Sequence, residues 1–148
     1  MTDQLAHQAG PIFVTLATVL LYYGFILRVA VVKYSLDAEY KARGEKFDRY
    51  FGEDRRMLAA DRMQLNMLEQ LPPFVVLLWV TALFVGPMWA TAGGVVYVAS
   101  RALYPFAMGS RLGRGVRALI FLSTGPGYLV ILYFTVVIAV ATVRALVG

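Results

Sequence analysis

The 148-residue chain contains no cysteine and a single histidine, His7. Disulfides and thiolate metal ligands are therefore excluded, and one histidine near the start of the chain makes no metal site. Acids are outnumbered as well, nine Asp and Glu facing fourteen Lys and Arg for a formal net charge of +5. The longest apolar runs lack charge altogether: Gln70–Ser100 has none and Ala118–Val143 has none. These runs also lack the apolar–polar alternation that membrane barrel strands require, so helices are preferred over a membrane barrel. No A-x-A-like cleavage site follows the first apolar run, and the run is too long for a signal-peptide core. It reads as a retained span.

What the chain has instead is apolar length, with hydrophobic residues making up 59% of it. A bilayer core about 30 Å thick takes roughly 20 mostly apolar residues per helical crossing. Four stretches supply that: Pro11–Val32, Leu58–Val85, Pro87–Met108 and Val116–Val143. In lipid every backbone polar group needs an internal partner, which selects helices. The expected fold is an all-α membrane protein, one domain forming a four-transmembrane-helix bundle.

The basic residues are unevenly placed, and that decides between partners. Lys33, Lys41, Arg43, Lys46, Arg49, Arg55 and Arg56 lie between the first two spans, and Arg111, Arg114 and Arg117 between the last two. The opposite face carries only Arg144. This is a positive-inside pattern rather than a nucleic-acid footprint. It predicts cytoplasmic basic loops and both termini on the other side. The first loop, about residues 33–57, mixes charges with Tyr40, Phe47, Tyr50 and Phe51, a pattern that fits a solvated connector or a structured surface loop with some helix. Gly86-Pro87 predicts a tight turn. Gly125-Pro126-Gly127 predicts a kink or local break in the fourth span.

Five ionisable residues remain inside the spans: Arg28, Asp61, Arg62, Glu69 and Arg101. Such groups are costly in lipid and usually face the protein interior or a watery cavity. Arg62, Asn66 and Glu69 follow an i, i+4, i+7 pattern and share one helix stripe. Arg101, Tyr104 and Met108 follow i, i+3, i+7 on the third span. Glu69 and Arg101 lie at similar depth, so they are expected to face one another, as a structural ion pair or as walls of a polar cavity open to the cytoplasm. Arg28 is placed either for that cavity or for snorkelling to the headgroups. Asn66 alone would serve as interhelical glue, and Tyr104 alone as a packing aromatic. Asp61, about 100° from Arg62 on the helix, is expected to face the loop.

At these residues the sequence resembles the membrane-associated proteins in eicosanoid and glutathione metabolism, which include microsomal glutathione transferases, leukotriene C4 synthase and microsomal prostaglandin E synthase. The second-span signature of that family, Arg-x-x-x-Asn-x-x-Glu followed shortly by proline, reads here Arg62-Met-Gln-Leu-Asn66-Met-Leu-Glu69-Gln-Leu-Pro72. The third-span pair, an arginine and then a tyrosine or histidine three residues on, matches Arg101 and Tyr104. Length, four spans and a long first cytoplasmic loop match too, so the resemblance covers nearly the whole chain.

The resemblance implies a homotrimer that binds glutathione between adjacent subunits near the cytoplasmic face. It carries glutathione contacts onto Arg28, Arg62, Gln64, Asn66, Glu69, Arg101 and Tyr104. The thiol-facing arginine falls on Arg117, or on Arg114 if the loop alignment shifts. Three positions depart from the pattern: Met108 stands where several members have a second tyrosine, Ala118 where one branch has a serine, and Pro105 lies within the third-span motif.

The chemistry fits independently of the resemblance. Glutathione offers two carboxylates, an ammonium and a thiol. Arginines suit the carboxylates, Glu69 the ammonium, and a further arginine favours thiolate over a free thiol of pKa about 8.5. The expected function is a glutathione-dependent transferase, with peroxidase activity as an extension, acting on hydrophobic small molecules that arrive from the bilayer. The alternative is a non-catalytic lipid-binding or scaffold protein of the same fold, as the five-lipoxygenase activating protein is. A small transporter fits poorly, because the outer halves of the spans lack a continuous polar path. The Ala-, Val- and Arg-rich composition points to a bacterial inner membrane, with the endoplasmic reticulum as the alternative.

Overall fold

In a computed structural model, residues 2–110, 113 and 117–148 are described, without the side chains of Thr2 and Arg117. Five helices account for nearly all of them: α1 (Thr2–His7), α2 (Ala9–Ala42), α3 (Arg55–Phe84), α4 (Pro87–Met108) and α5 (Arg117–Val147). No strand occurs among the described residues. α3 and α4 form a central pair, and both α2 and α5 pack on each member of it.

Three of the helices, α2, α3 and α5 from Ala118 onward, are long and apolar enough to cross a membrane. α4 has 22 residues, about 33 Å of helix at 1.5 Å per residue, so its length suffices. Its apolar character is diluted by Gly93, Gly94, Tyr97, Ser100, Arg101 and Tyr104, all of them buried. The helix that reads as least lipid-like thus keeps its small and polar residues inside the bundle, where lipid does not meet them.

Lipid tails are as apolar as leucine, so the bundle holds together by close packing rather than by hydrophobic transfer. Phe74 of α3 stacks on Tyr97 of α4 with ring centroids 3.6 Å apart and planes 8° from parallel. Both rings are fully buried with Phe134 of α5. Gly93 and Gly94 make this approach possible. A Cβ on Gly94 would sit 2.5 Å from Val14 Cγ1, and one on Gly93 would sit 2.7 Å from Phe134 Cε1.

Gly86 turns the chain between α3 and α4 at φ 151°, and its N–H donates to the Thr81 carbonyl at 2.8 Å. Pro87 then opens α4 at its first turn, where a missing N–H costs nothing. Of the kink or local break expected at Gly125-Pro126-Gly127, the break does not occur. α5 runs as continuous helix from Arg117 to Val147 with Pro126 inside it. Ring closure removes one backbone donor, and beside it Arg101 of α4 donates to the Thr124 carbonyl of α5 at 3.2 Å.

α2 continues through Ala42, well past its apolar stretch, and the first loop is ordered. Arg56 donates both terminal nitrogens to Glu39 at 2.9 and 2.7 Å. Arg49 does the same to Asp61 at 2.9 and 2.8 Å. Asp48 accepts from the N–H groups of Tyr50 and Phe51, and Asp54 caps α3 by accepting from Arg56 N–H at 2.8 Å. Leu36, Met57 and Ala60 form a small core beneath, against Tyr40 and Phe47. The segment is a structured loop entered by helix, not a loose connector.

Candidate functional site

α3 has two contrasting faces. Met63, Met67, Gln70, Phe74 and Leu78 are buried against α4 and its neighbours. Leu58, Arg62, Leu65, Glu69, Pro72 and Val76 are exposed, in alternating steps of four and three that keep them on one stripe. Asn66 and Gln64 lie between the faces, partly buried. The motif therefore straddles the edge of the subunit. Its charged members look outward, and its amide looks toward α4.

Asn66 is held from across the helix pair. Its Nδ2 donates to the Tyr104 hydroxyl at 2.5 Å, and Tyr104 is buried beside Met63, Met108 and Ile120. Two of the expected site residues are thus joined directly.

Arg101 and Glu69 are not joined. Arg101 is only 1% exposed, and its Nη2 donates to Gln70 Oε1 at 2.6 Å and to the Thr124 carbonyl of α5 at 3.2 Å. Glu69 is exposed and forms no ion pair with a described residue. One residue along a helix is a turn of 100°, and that step exchanges the outer face at Glu69 for the inner face at Gln70. Arg101 reaches the inner one. Gly127 provides its berth, since a Cβ there would run into Nη2 and lie 3.1 Å from Cζ and Nε. Arg101 Nε and Nη1, Gln70 Nε2 and the Tyr97 hydroxyl are buried with no partner among the described residues.

Gln70 is the partner of Arg101 that reading the sequence missed. The signal was present: it is the one polar residue in the apolar stripe Met63, Met67, Phe74, Leu78.

Arg28 of α2 is partly buried, its Nε enclosed without a partner among the described residues. Arg62 is exposed and, like Glu69, unpaired among the described residues. Asp61 faces the loop through Arg49 and takes no part in the stripe. Arg114 lies outside the described residues, and so does the side chain of Arg117, whose backbone opens α5.

Apolar hollows flank the start of α5. One of about 360 Å³ is lined by Ile120, Phe121, Thr124, Gly125 and Tyr128. Another of about 160 Å³ lies between α4 and α5, by Leu103, Phe106 and Ser123. Two larger ones lie at the far end of the bundle, by Phe84 and Ile138 and by His7 and Pro87, away from the arginine-bearing stripe. Size does not select the site here; the polar groups beside the smaller hollows do.

The match to known families now bears on this arrangement. Residues 11–140 match the family model described as the MAPEG family. The chain belongs to the MAPEG family. No curated protein sequence matches it closely. Family membership makes it a membrane protein of the eicosanoid and glutathione metabolism group, in keeping with its apolar helices. The matched region contains the α3 stripe, the Asn66–Tyr104 bond, the Arg101 cluster and the first six turns of α5.

Proposed function

We propose that the protein is a glutathione-dependent transferase of the MAPEG family that acts on hydrophobic electrophiles, with its site between subunits of a homotrimer. The observation that carries this reading is the outward stripe of α3. Arg62 and Glu69 are charges without an ion-pair partner among the described residues, on an otherwise apolar exposed face, and Asn66 is fastened beside them by Tyr104. Charges at such depth call for a partner, and a zwitterionic tripeptide offers one for each. The exposed positions of α3 also repeat in steps of four and three, the spacing by which helices of neighbouring chains pack.

In this reading Arg62 and Arg28 grip carboxylates through forked hydrogen bonds. Glu69 takes the ammonium, and Gln64 and Asn66 the peptide groups. Bound glutathione supplies the nucleophilic sulfur. Arg117, or Arg114 if the loop places it closer, holds that sulfur as thiolate. The hollow at Ile120, Phe121, Gly125 and Tyr128 receives the apolar electrophile at the same level of α5. α4 completes four crossings, both basic loops face the cytoplasm and both termini face away from it, in a bacterial inner membrane.

Titrating glutathione into the detergent-purified protein by calorimetry tests the reading. Saturable binding at millimolar ligand is expected, and heats indistinguishable from dilution would end it. A second reading has its own support: Met108 is buried beside Tyr104 and Met63 and gives the site an apolar wall. That favours a lipid-binding scaffold. Conjugation of glutathione to a chlorinated nitrobenzene distinguishes the two, since a scaffold binds without turnover.

A further inference from the structure

We propose that Arg101 is a positioning residue rather than a ligand contact: a buried clamp that sets the first turns of α5 against the Asn66–Tyr104 pair. The proposal rests on the glutathione reading and adds to it how the site is held.

Arg101 lies one turn before Tyr104 on α4, inside the bundle and closed off from the exposed stripe. Its Nη2 spans two other helices at once, reaching the Gln70 carbonyl oxygen on α3 and the Thr124 backbone on α5. Gln70 follows Glu69 in the motif, and Thr124 lies seven residues beyond Arg117, about 10 Å along α5. Thr124 also lines the apolar hollow by Phe121 and Gly125. One guanidinium therefore ties together the helix of the charged stripe, the helix of Tyr104 and the wall of the hollow.

Cohesion alone does not explain an arginine here. A charged side chain buried within a membrane span is costly. Nε and Nη1 add buried donors with no partner among the described residues. An apolar residue would pack the bundle at lower cost. What the arginine adds is direction, because a planar fork bonded to two helices fixes their relative rotation as methyl groups do not. Gly127 belongs to the same device, since only a residue without Cβ leaves the guanidinium its berth.

Gly127→Ala tests this without removing any charge, by pushing the guanidinium off the Thr124 carbonyl, and Gln70→Met removes the other leg. For each variant, glutathione affinity by calorimetry, kcat and KM for conjugation, and the pH at which the bound thiolate absorbs in the near ultraviolet are measured in detergent. Expected is a fall in kcat on the order of tenfold to a hundredfold, with thiolate appearing at higher pH and glutathione affinity within about twofold, because the gripping stripe is on the outer face of α3. Arg101→Lys should recover part of the loss shown by Arg101→Met, and adding Gly127→Ala to Arg101→Met should change nothing more. Wild-type kcat and thiolate pH in Gly127→Ala and Gln70→Met overturn the clamp while leaving the proposed function intact. So does a loss of kcat matched by an equal loss of glutathione affinity, the mark of a general structural role. Absence of binding and turnover in the unaltered protein overturns both.

Discussion

The inner and outer faces of α3 are separated by a single residue and obey different rules. The inner stripe, Met63, Met67, Gln70, Phe74 and Leu78, is buried and touches other parts of the same subunit. The outer stripe, Leu58, Arg62, Leu65, Glu69, Pro72 and Val76, is exposed. Each face carries polar groups, but the polar group of the inner face is neutral and bonded to Arg101, whereas the outer ones are charged and have no ion-pair partner among the described residues. A buried polar group must find its partner within the fold. An exposed charge at the edge of a subunit is available to something that arrives. The inner face is therefore read as assembly and the outer one as recognition.

The contrast is most easily broken at Phe74. Phe74→Ala removes a ring stacked on Tyr97 and leaves a cavity costing about 3 kcal/mol or more, seen as an earlier midpoint in detergent unfolding. Glutathione affinity of the protein that remains folded should be unchanged. A cost below about 1 kcal/mol would mean that the inner face is not the core.

On the outer face the expected result is reversed. Arg62→Ala and Glu69→Ala should each weaken glutathione binding at least about tenfold, the worth of a charge-assisted bond, while stability stays within about 0.5 kcal/mol. Calorimetry and the same unfolding titration read the two quantities. Loss of stability comparable to that of Phe74→Ala would erase the distinction between the faces.

Between the faces, Tyr104→Phe removes the hydroxyl that holds Asn66. About 1 kcal/mol of stability should go with it, together with a weaker but detectable loss of affinity. Asn66→Ala on the Tyr104→Phe background should add less than it does alone.

The smallest effect lies in the loop and depends on pH. Arg56, hydrogen-bonded to Glu39, holds the Glu39 carboxyl below its ordinary value of 4.5. A lowered carboxyl contributes stability that is fully present above 4.5 and is lost as pH falls through the folded value. Arg56→Gln should flatten that acid limb of the stability profile by slightly lowering stability at neutral pH and leaving the most acid end nearly unaffected. High salt should shrink the difference, because the pair is exposed.

Much of this was readable in advance for a physical reason. Apolar length survives as a pattern whatever the packing, so the long helices and the Gly86-Pro87 turn could be placed from the chain alone. The i, i+4, i+7 spacing likewise put Arg62, Asn66 and Glu69 on one stripe. The partner of Arg101 could not be found that way. Depth along the membrane pointed to Glu69, but rotation about α3 decided for Gln70. Likewise, Gly125-Pro126-Gly127 reads as a kink or local break when α5 is considered alone. Within the bundle the glycine at 127 makes room for a guanidinium, and the helix continues.

By itself, the sequence determined that this chain lives in a membrane, that it is helical, and that it carries a charged motif on one stripe of one helix. These follow from composition and period, which are local properties. Only the tertiary structure decided that the charges of that stripe face outward while Arg101 turns inward onto Gln70 and Thr124. Which of two neighbouring residues meets a third on another helix depends on how the helices are rotated against one another, and packing across the whole bundle sets that rotation.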